Sequence, residues 1–219
     1  MPRADHPVNL DQLRREYARE RLDEASVAPD PLTQFERWFS DAQRANLLDP
    51  NAMILATATA DGRPSARVVL LKDYGPGGFV FFTDYRSRKS GELEANPRAM
   101  LLFFWGALER QIRIAGEVVR APREASDTYF RSRPVGSQLG AWASEQSAVL
   151  TGGREELERR VRELAQRYAE QAVPPPPHWG GWCLAPDEFE FWQGRESRLH
   201  DRIRYQRSDA GWKIDRLSP

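Results

Sequence analysis

From Ala52 onward the sequence becomes a series of short apolar segments separated by turn residues, and this limits the chain to a few folds. Ala52 to Ala60 reads as a strand, Asp61-Gly62 as a two-residue hairpin turn, and Ser65 to Lys72 as the returning strand. A second turn, Tyr74-Gly75-Pro76-Gly77-Gly78, leads into Phe79 to Thr83. Consecutive strands joined by such tight turns pair antiparallel. Ser87 is placed to cap a short helix to Leu93, which Asn96-Pro97 stops, and Ala99 to Trp105 and Gln111 to Arg120 continue the sheet. Trp182 to Leu184, Glu188 to Trp192, Asp201 to Gln206 and Trp212 to Asp215 supply the last strands. The pattern predicts a mainly β (α+β) protein, a small closed or split antiparallel β-barrel with peripheral helices. Neither GxGxxG nor GxxxxGK[ST] occurs, which removes the two commonest phosphate-loop readings.

Helical spacing appears at the edges of this run. Leu10, Leu13 and Tyr17 give the charged segment Leu10 to Leu22 a thin apolar stripe, so residues 1–28 read as a mobile helical arm and residues 29–219 as a single domain. After Ala28-Pro29-Asp30-Pro31, Thr33 and Glu36 form a capping box, and Phe35, Trp38, Phe39 and Ala42 share one helical face. Pro122 suits the start of a helix through Arg131, Gly152-Gly153 precedes a helix from Arg154 to Ala169, and Pro174 to Pro177 forms an extended spacer.

Composition narrows the function. Formal net charge is zero, which argues against nucleic acid or an anionic membrane surface as the main partner but leaves small anions open. No apolar run reaches the length of a membrane span, and Met1 to Asp11 has no apolar core of a signal, so a cytoplasmic location is expected. The single cysteine, Cys183, lies between Trp182 and Leu184 and reads as a small buried hydrophobe. Lysine occurs at Lys72, Lys89 and Lys213 in a chain that otherwise uses arginine.

Several clusters could carry chemistry. If the chain is extended from Arg198, then Arg198, His200 and Arg202 leave one face of one strand, either solvated at an edge or facing an anion. Trp192 is a core plug or a cofactor wall. Arg67 and Lys72, five positions apart, would face opposite sides of a regular strand and so would serve two different anionic groups. Thr83 with Ser87-Arg88-Lys89 offers hydroxyls, cations and the N–H groups of a helix start, which is either a phosphate site or a capped, solvated terminus. Tyr129, with Arg133 one turn later and Ser137 beyond, either grips a second phosphate or packs.

The order of these runs resembles a known family. Arg67 to Lys72, Phe79-Val80-Phe81-Phe82-Thr83 with Ser87-Arg88-Lys89, Glu94 to Pro97, Arg110-Gln111, Ser132-Arg133-Pro134 and Gln146-Ser147 are similar to pyridoxine-5'-phosphate oxidases. So, with the highest specificity, are Phe189-Glu190-Phe191-Trp192-Gln193 and Arg198-Leu199-His200-Asp201-Arg202. The resemblance implies an FMN-binding split barrel, a homodimer with two cofactor sites at the subunit interface, and no metal. It implies that Arg67, Thr83, Arg88 and Lys89 hold the FMN phosphate and neighbouring oxygens. The run Arg67, Val68, Val69, Leu70, Leu71 and Lys72, together with Phe82, would line the cofactor, and Gln111, Gln146, Ser147, Trp192 and Arg202 would complete its pocket, some from the other subunit. Lys72, Tyr129, Arg133 and Ser137 would bind the substrate phosphate, with Arg198 and His200 as catalytic residues over the pyridine ring and Arg14 and Tyr17 in a segment folding over the site. Phe82 stands where the family commonly has tyrosine. The implied activity is oxidation of pyridoxine 5'-phosphate and pyridoxamine 5'-phosphate by O2, giving pyridoxal 5'-phosphate and H2O2. A flavin enzyme of the phenazine pathway, a carrier of FMN or pyridoxal phosphate, and an interaction domain without cofactor are the competing readings.

Overall fold

The computed structural model describes Tyr17 and residues 20–219, and at its centre is a nine-stranded antiparallel sheet. The first hairpin joins β1 (Ala52–Ala58) to β2 (Pro64–Leu70) through Gly62, whose φ of 86° is the left-handed conformation such a turn needs. β3 (Asp73–Gly75) and β4 (Gly78–Asp84) form the second. β5 (Arg98–Trp105) and β6 (Arg110–Arg120) form the third, and β7 (Trp179–Gln193), β8 (Asp201–Ser208) and β9 (Gly211–Arg216) finish the sheet as a meander. The spatial order is β2-β1-β5-β6-β7-β4-β3, with β8 and β9 branching from β7. The sheet curls into a half-barrel, with five helices among the described residues.

β7 is one 15-residue strand, where the sequence suggested two. One edge pairs with β6 from Trp182 to Gln193, while the other pairs with β4 through Trp179–Leu184 and then with β8 through Glu188–Gln193. Pro186, which has no N–H to give, marks the changeover, and the β6–β7 register shifts opposite it, between Ala115 and Gly116. A Cβ on Gly116 would lie 2.0 Å from the carbonyl oxygen of Ala185, so only glycine fits there.

Alternation along the strands sends Met53, Leu55, Leu101, Phe103, Ile112, Ile114, Phe189 and Phe191 into one core. Helix α1 (Pro31–Arg44) covers it: Phe35 meets Phe79 and Phe103 edge-on at 5.0 and 5.3 Å, and Trp38 meets Phe191 at 5.3 Å. Each such aromatic contributes roughly 1.5–3 kcal/mol by leaving water. The N-cap of α1 is Asp30, whose carboxylate accepts from the Leu32 and Thr33 amides. The expected Thr33 capping box gives way because Pro31 begins the helix three residues earlier than a Thr33 start would.

Four more helices surround the sheet: α2 (Arg88–Ala95), α3 (Arg123–Ser132), α4 (Val135–Ala143) and α5 (Gly153–Arg167). α4 was not expected. Pro134 forces Arg133 into an extended conformation (φ −74°, ψ 150°), which ends α3 and lets α4 start in a new direction. Of the expected N-terminal helix, Tyr17 and Glu20 to Leu22 are non-helical and the rest lies outside the described residues. No described helix is long and apolar enough to cross a membrane. Cys183 is half-buried, its thiol against the Gly77 carbonyl at 3.2 Å.

The close approach at the β7 changeover can be tested by urea unfolding. Gly116→Ala is expected to cost roughly 1–3 kcal/mol through overpacking, whereas Gly75→Ala, with open space around its Cβ position, leaves stability near the starting value.

Candidate active site

A cavity of about 1030 Å³ opens beside the edge strand β2, walled by the end of β4, the start of α2 and the α3–α4 corner. Its lining falls into two cationic clusters. In the first, Arg67 of β2 stands near Arg88 and Lys89 of α2. Arg67 is held from below: Nη1 donates to Leu55 O at 3.2 Å, and Nη2 to the buried Glu92 carboxylate at 2.9 Å. The Lys89 ammonium donates to Gln146 Oε1 at 2.8 Å, to Thr83 Oγ at 3.0 Å and to Ser87 Oγ at 3.3 Å. Burial and the positive charge of Arg67 push the Lys89 pKa down, against the pull of Asp84 and Glu92. Ser87 sits at the N-cap position without capping through its side chain, and Ser147 Oγ instead accepts from the Arg88 amide at 3.3 Å.

The second cluster joins Lys72, Tyr129, Arg133 and Ser137. Phe82, Tyr129 and Trp179 stack nearly parallel, with centroids 4.2 Å apart for Phe82–Tyr129 and 5.4 Å for Phe82–Trp179. Arg133 lies 4.7 Å over the Trp179 ring and Lys72 Nζ 5.9 Å over that of Tyr129. Arg133 reaches this place because the chain breaks at Pro134, and not along one face of a continuous helix as the sequence suggested. Ser137 belongs to α4. Arg133 Nη1 is buried with no hydrogen-bond partner among the described residues, and burial lowers the Arg133 pKa. A guanidinium in that condition favours an anionic acceptor.

Arg67 and Lys72 lie on opposite faces, as expected: Arg67 is in phase with Val69 and the buried Leu71, Lys72 with the exposed Val68 and Leu70, and both residues line the cavity. Val68, Val69 and Leu70 also line the cavity, whereas the side chain of Leu71 is buried in the core.

The remaining expected residues gather elsewhere. Gln111, Trp192 and Arg202 sit side by side across β6, β7 and β8. Arg202 donates to Glu190 Oε1 at 2.9 Å and to Ser218 O at 2.8 Å. Arg198 and His200 precede β8, so these two and Arg202 do not share one strand face. Ser197 and Arg198 both have positive φ (54° and 62°) in a tight turn, a strained conformation of the kind that concentrates at functional sites. His200 lies 4.6 Å from Trp192, and Tyr17 meets both rings edge-on at 5.8 Å. Gly194 makes room for Tyr17, since a Cβ there would lie 2.7 Å from Tyr17 Cγ. Arg14 lies outside the described residues.

His200 has a defined tautomer. The Arg195 amide donates to its Nδ1 at 3.1 Å, so that nitrogen is the acceptor and the ring proton sits on Nε2. Burial and the charge of Arg198 lower its pKa below the ordinary 6.5, Asp201 opposing. At neutral pH His200 therefore presents an N–H donor from Nε2.

The two groups of residues stand far apart in one chain. Thr83 pairs with Gly180 near the start of β7, and Trp192 lies twelve residues further along that strand. At about 3.3 Å per residue, the two places are separated by roughly 40 Å of strand. That exceeds the length of a mononucleotide. Sequence reading missed Glu92, Glu190 and Trp179. Glu92 had a local signal, four residues after Arg88, but its pairing with Arg67 is a long-range contact.

A curled antiparallel half-barrel with a cation-lined cavity at its edge strand has the architecture of the FMN-binding split barrels. An FMN-binding protein from Nostoc punctiforme, related to pyridoxamine 5'-phosphate oxidase, superposes with a TM-score of 0.67 over 89% of this chain and 99% of its own, at 19% identity. PhzG from Burkholderia lata, solved with tetrahydrophenazine-1-carboxylic acid, superposes with a TM-score of 0.84 at 36% identity, over 89% and 95% of the two chains. Residues 39–168 match the pyridoxamine 5'-phosphate oxidase family, and residues 179–219 match the pyridoxine 5'-phosphate oxidase C-terminal dimerisation region. The pyridoxine/pyridoxamine 5'-phosphate oxidase of Rubrobacter xylanophilus is 58% identical over 96% of this chain and 97% of its own. That of Burkholderia vietnamiensis is 57% identical over 97% and 100%. The chain belongs to the pyridoxine/pyridoxamine 5'-phosphate oxidase family, a family of oxidoreductases.

The His200 tautomer is open to measurement by 15N-resolved NMR of the imidazole. We expect a neutral ring protonated at Nε2 with a midpoint below 6.5. Because the folded-state pKa is depressed, the ring's contribution to stability is present above its ordinary pKa and is lost as pH falls through the lowered one. A neutral ring protonated at Nδ1 would contradict the Arg195–His200 bond, and titration at or above 6.5 would contradict the burial of the ring beside Arg198.

Proposed function

We propose that the protein oxidises pyridoxine 5'-phosphate and pyridoxamine 5'-phosphate to pyridoxal 5'-phosphate, with FMN as cofactor and O2 as final acceptor. The observation that carries this reading is a single cavity with two separate cationic clusters bridged by stacked aromatic rings. Two phosphate-capable clusters suit a phosphorylated cofactor beside a phosphorylated substrate. Arg67, Arg88, Lys89 and Thr83 would hold the cofactor phosphate, and the Lys89 pKa, lowered by burial and by Arg67, is a strain that a bound anion relieves. Lys72, Tyr129, Arg133 and Ser137 would hold the substrate phosphate, supported by the unpartnered Arg133 Nη1. The roughly 40 Å of β7 between Thr83 and Trp192 supports a homodimer in which Gln111, Trp192, Arg198, His200 and Arg202 of one subunit close the cavity of the other.

Bound FMN would supply the two-electron acceptor and pass the electrons to O2. The alcohol gives aldehyde and H2O2; the amine consumes one water as well and also releases ammonia. The protein chiefly positions its substrate. The phosphate clamp anchors one end, Arg198 holds C4' in place, and His200 orients the substrate by donating from Nε2. Tyr17 covers Trp192 and His200 from the side of the N-terminal segment.

The likeness to PhzG favours a second reading, a flavin enzyme acting on a phenazine-type acid. Against it, such an acid carries no phosphate for Arg133, Lys72 and Tyr129.

The test supplies the purified protein with FMN and each phosphorylated vitamer in air. A flavin spectrum and one H2O2 per aldehyde are expected; flavin without peroxide would make it a carrier, and a protein that FMN cannot colour would end the proposal. Arg198→Ala should cut turnover about 100-fold through lost positioning while FMN content stays level. Mixed subunits test the shared site directly. Randomly paired Arg198→Ala and Arg133→Leu chains, each inactive alone, should recover about a quarter of wild-type activity, because half the dimers carry one intact site.

A further inference from the structure

We infer that Glu92 is the positioning residue of the cofactor-phosphate cluster, aligning Arg67 and Arg88 and trimming the cluster's charge to suit a phosphate dianion. The inference rests on the assignment of that cluster to the cofactor phosphate. Glu92 is buried on α2, and its carboxylate joins three elements. Oε2 accepts from Thr57 Oγ of β1 at 2.6 Å and from Arg67 Nη2 of β2 at 2.9 Å. Oε1 accepts from Arg88 Nε at 2.8 Å, one helical turn earlier. The bond engages the Nε edge of Arg88 and not its two terminal amino groups, which suits those groups to another acceptor. Arg67 is fixed differently, through its terminal groups, Nη1 on Leu55 O and Thr57 Oγ and Nη2 on Ser65 Oγ and Glu92 Oε2, so that its whole guanidinium is locked in place where the side chain lines the cavity.

The charge count points the same way. Arg67, Arg88 and Lys89 bring three positive charges to one wall of the cavity. Asp84 is already matched by Arg86 at 2.6 Å, so Glu92 is the carboxylate that offsets the cluster, leaving two net positive charges. A phosphate monoester near neutral pH carries close to two negative charges.

Positioning and simple charge compensation predict opposite results. If Glu92 merely dampened the positive field, Glu92→Gln would add a charge and tighten phosphate binding. If Glu92 aligns the guanidiniums, glutamine fails, because its amide offers one acceptor and one donor. Whichever way it turns, an NH2 then faces an N–H of Arg67 or of Arg88. Glu92→Asp keeps the charge but is one methylene too short to serve both arginines and Thr57.

The experiment titrates the full-length flavin-stripped protein with FMN and with riboflavin, following quenching of flavin fluorescence, for wild type, Glu92→Gln, Glu92→Asp and Thr57→Val. Glu92→Gln and Glu92→Asp should weaken FMN roughly 10–100-fold, the worth of charged hydrogen bonds, and leave riboflavin within about twofold. Thr57→Val, which keeps the carboxylate and serves if the Glu92 variants do not fold, should weaken FMN selectively by about threefold to tenfold. Unchanged or tighter FMN binding in the variants overturns the inference, as does equal weakening of FMN and riboflavin. A wild-type protein that binds riboflavin as tightly as FMN would instead overturn the phosphate assignment beneath it.

Discussion

β7 keeps β6 on one edge from Trp182 to Gln193 and exchanges β4 for β8 on the other. The exchange is possible because Pro186 withdraws a donor at the changeover and Gly116 lets the two backbones close up across the irregularity. Beneath it lie Phe189, Phe191, Ile112 and Ile114, capped by α1. The same strand carries functional groups at both ends: Gly180 sits against Thr83 of the cavity, and Trp192 sits between Gln111 and Arg202. A rigid spacer of this length keeps each chain's cavity apart from its own Trp192 and His200. On the proposed function each group is half of a site, and a twofold pairing of chains would complete both.

Charge is distributed with the same asymmetry. The whole chain is neutral, yet its ion pairs are not spread evenly. Around Trp192 the cations are matched: Arg202 and Arg113 share Glu190, and Arg110 is held by Asp41 and Glu20 above Trp38. In the cavity, Arg133 Nη1 has no partner among the described residues, Arg67 and Arg88 share one carboxylate, and Lys89 is held by hydroxyl and amide oxygens. An anion site can therefore exist in a protein without net charge, because what a ligand meets is the local excess within a Debye length.

What the sequence conveyed well were features with short-range causes. Strands β1, β2, β4, β5 and β6 follow from alternation and from turns such as Asp61-Gly62, while the short β3 falls at residues read as a turn, and Arg67, Thr83, Arg88, Lys89, Tyr129 and Arg133 do line one cavity. What it conveyed poorly depended on single residues that break a period. Pro134 ends α3 and moves Arg133 off the helical face on which spacing had placed it. The turn at Ser197–Arg198 removes Arg198 and His200 from the strand of Arg202. Pro186 misled in the other direction, since a break in alternation became a bend within one strand. Glu92 was invisible as a functional group because its meaning lies in Arg67, on a strand that only the tertiary fold brings near.

The aromatic stack ties the cavity together. Phe82 stands on β4 directly before Thr83, and its ring lies nearly parallel to those of Tyr129 and Trp179, which are themselves 6.2 Å apart. The strand that orients Thr83 and Lys89 toward one cluster therefore also fixes the floor beneath the other, through Tyr129 and through the Arg133 guanidinium on Trp179. A tyrosine at position 82 would add a hydroxyl at the rim of this stack, whereas phenylalanine leaves an apolar ring whose role is to pack. Because the rings have few rotatable bonds, holding the two clusters at a fixed spacing costs little entropy when ligands bind. In that sense the separation of the two cationic clusters is a property of the β4 core packing and is set before any ligand arrives.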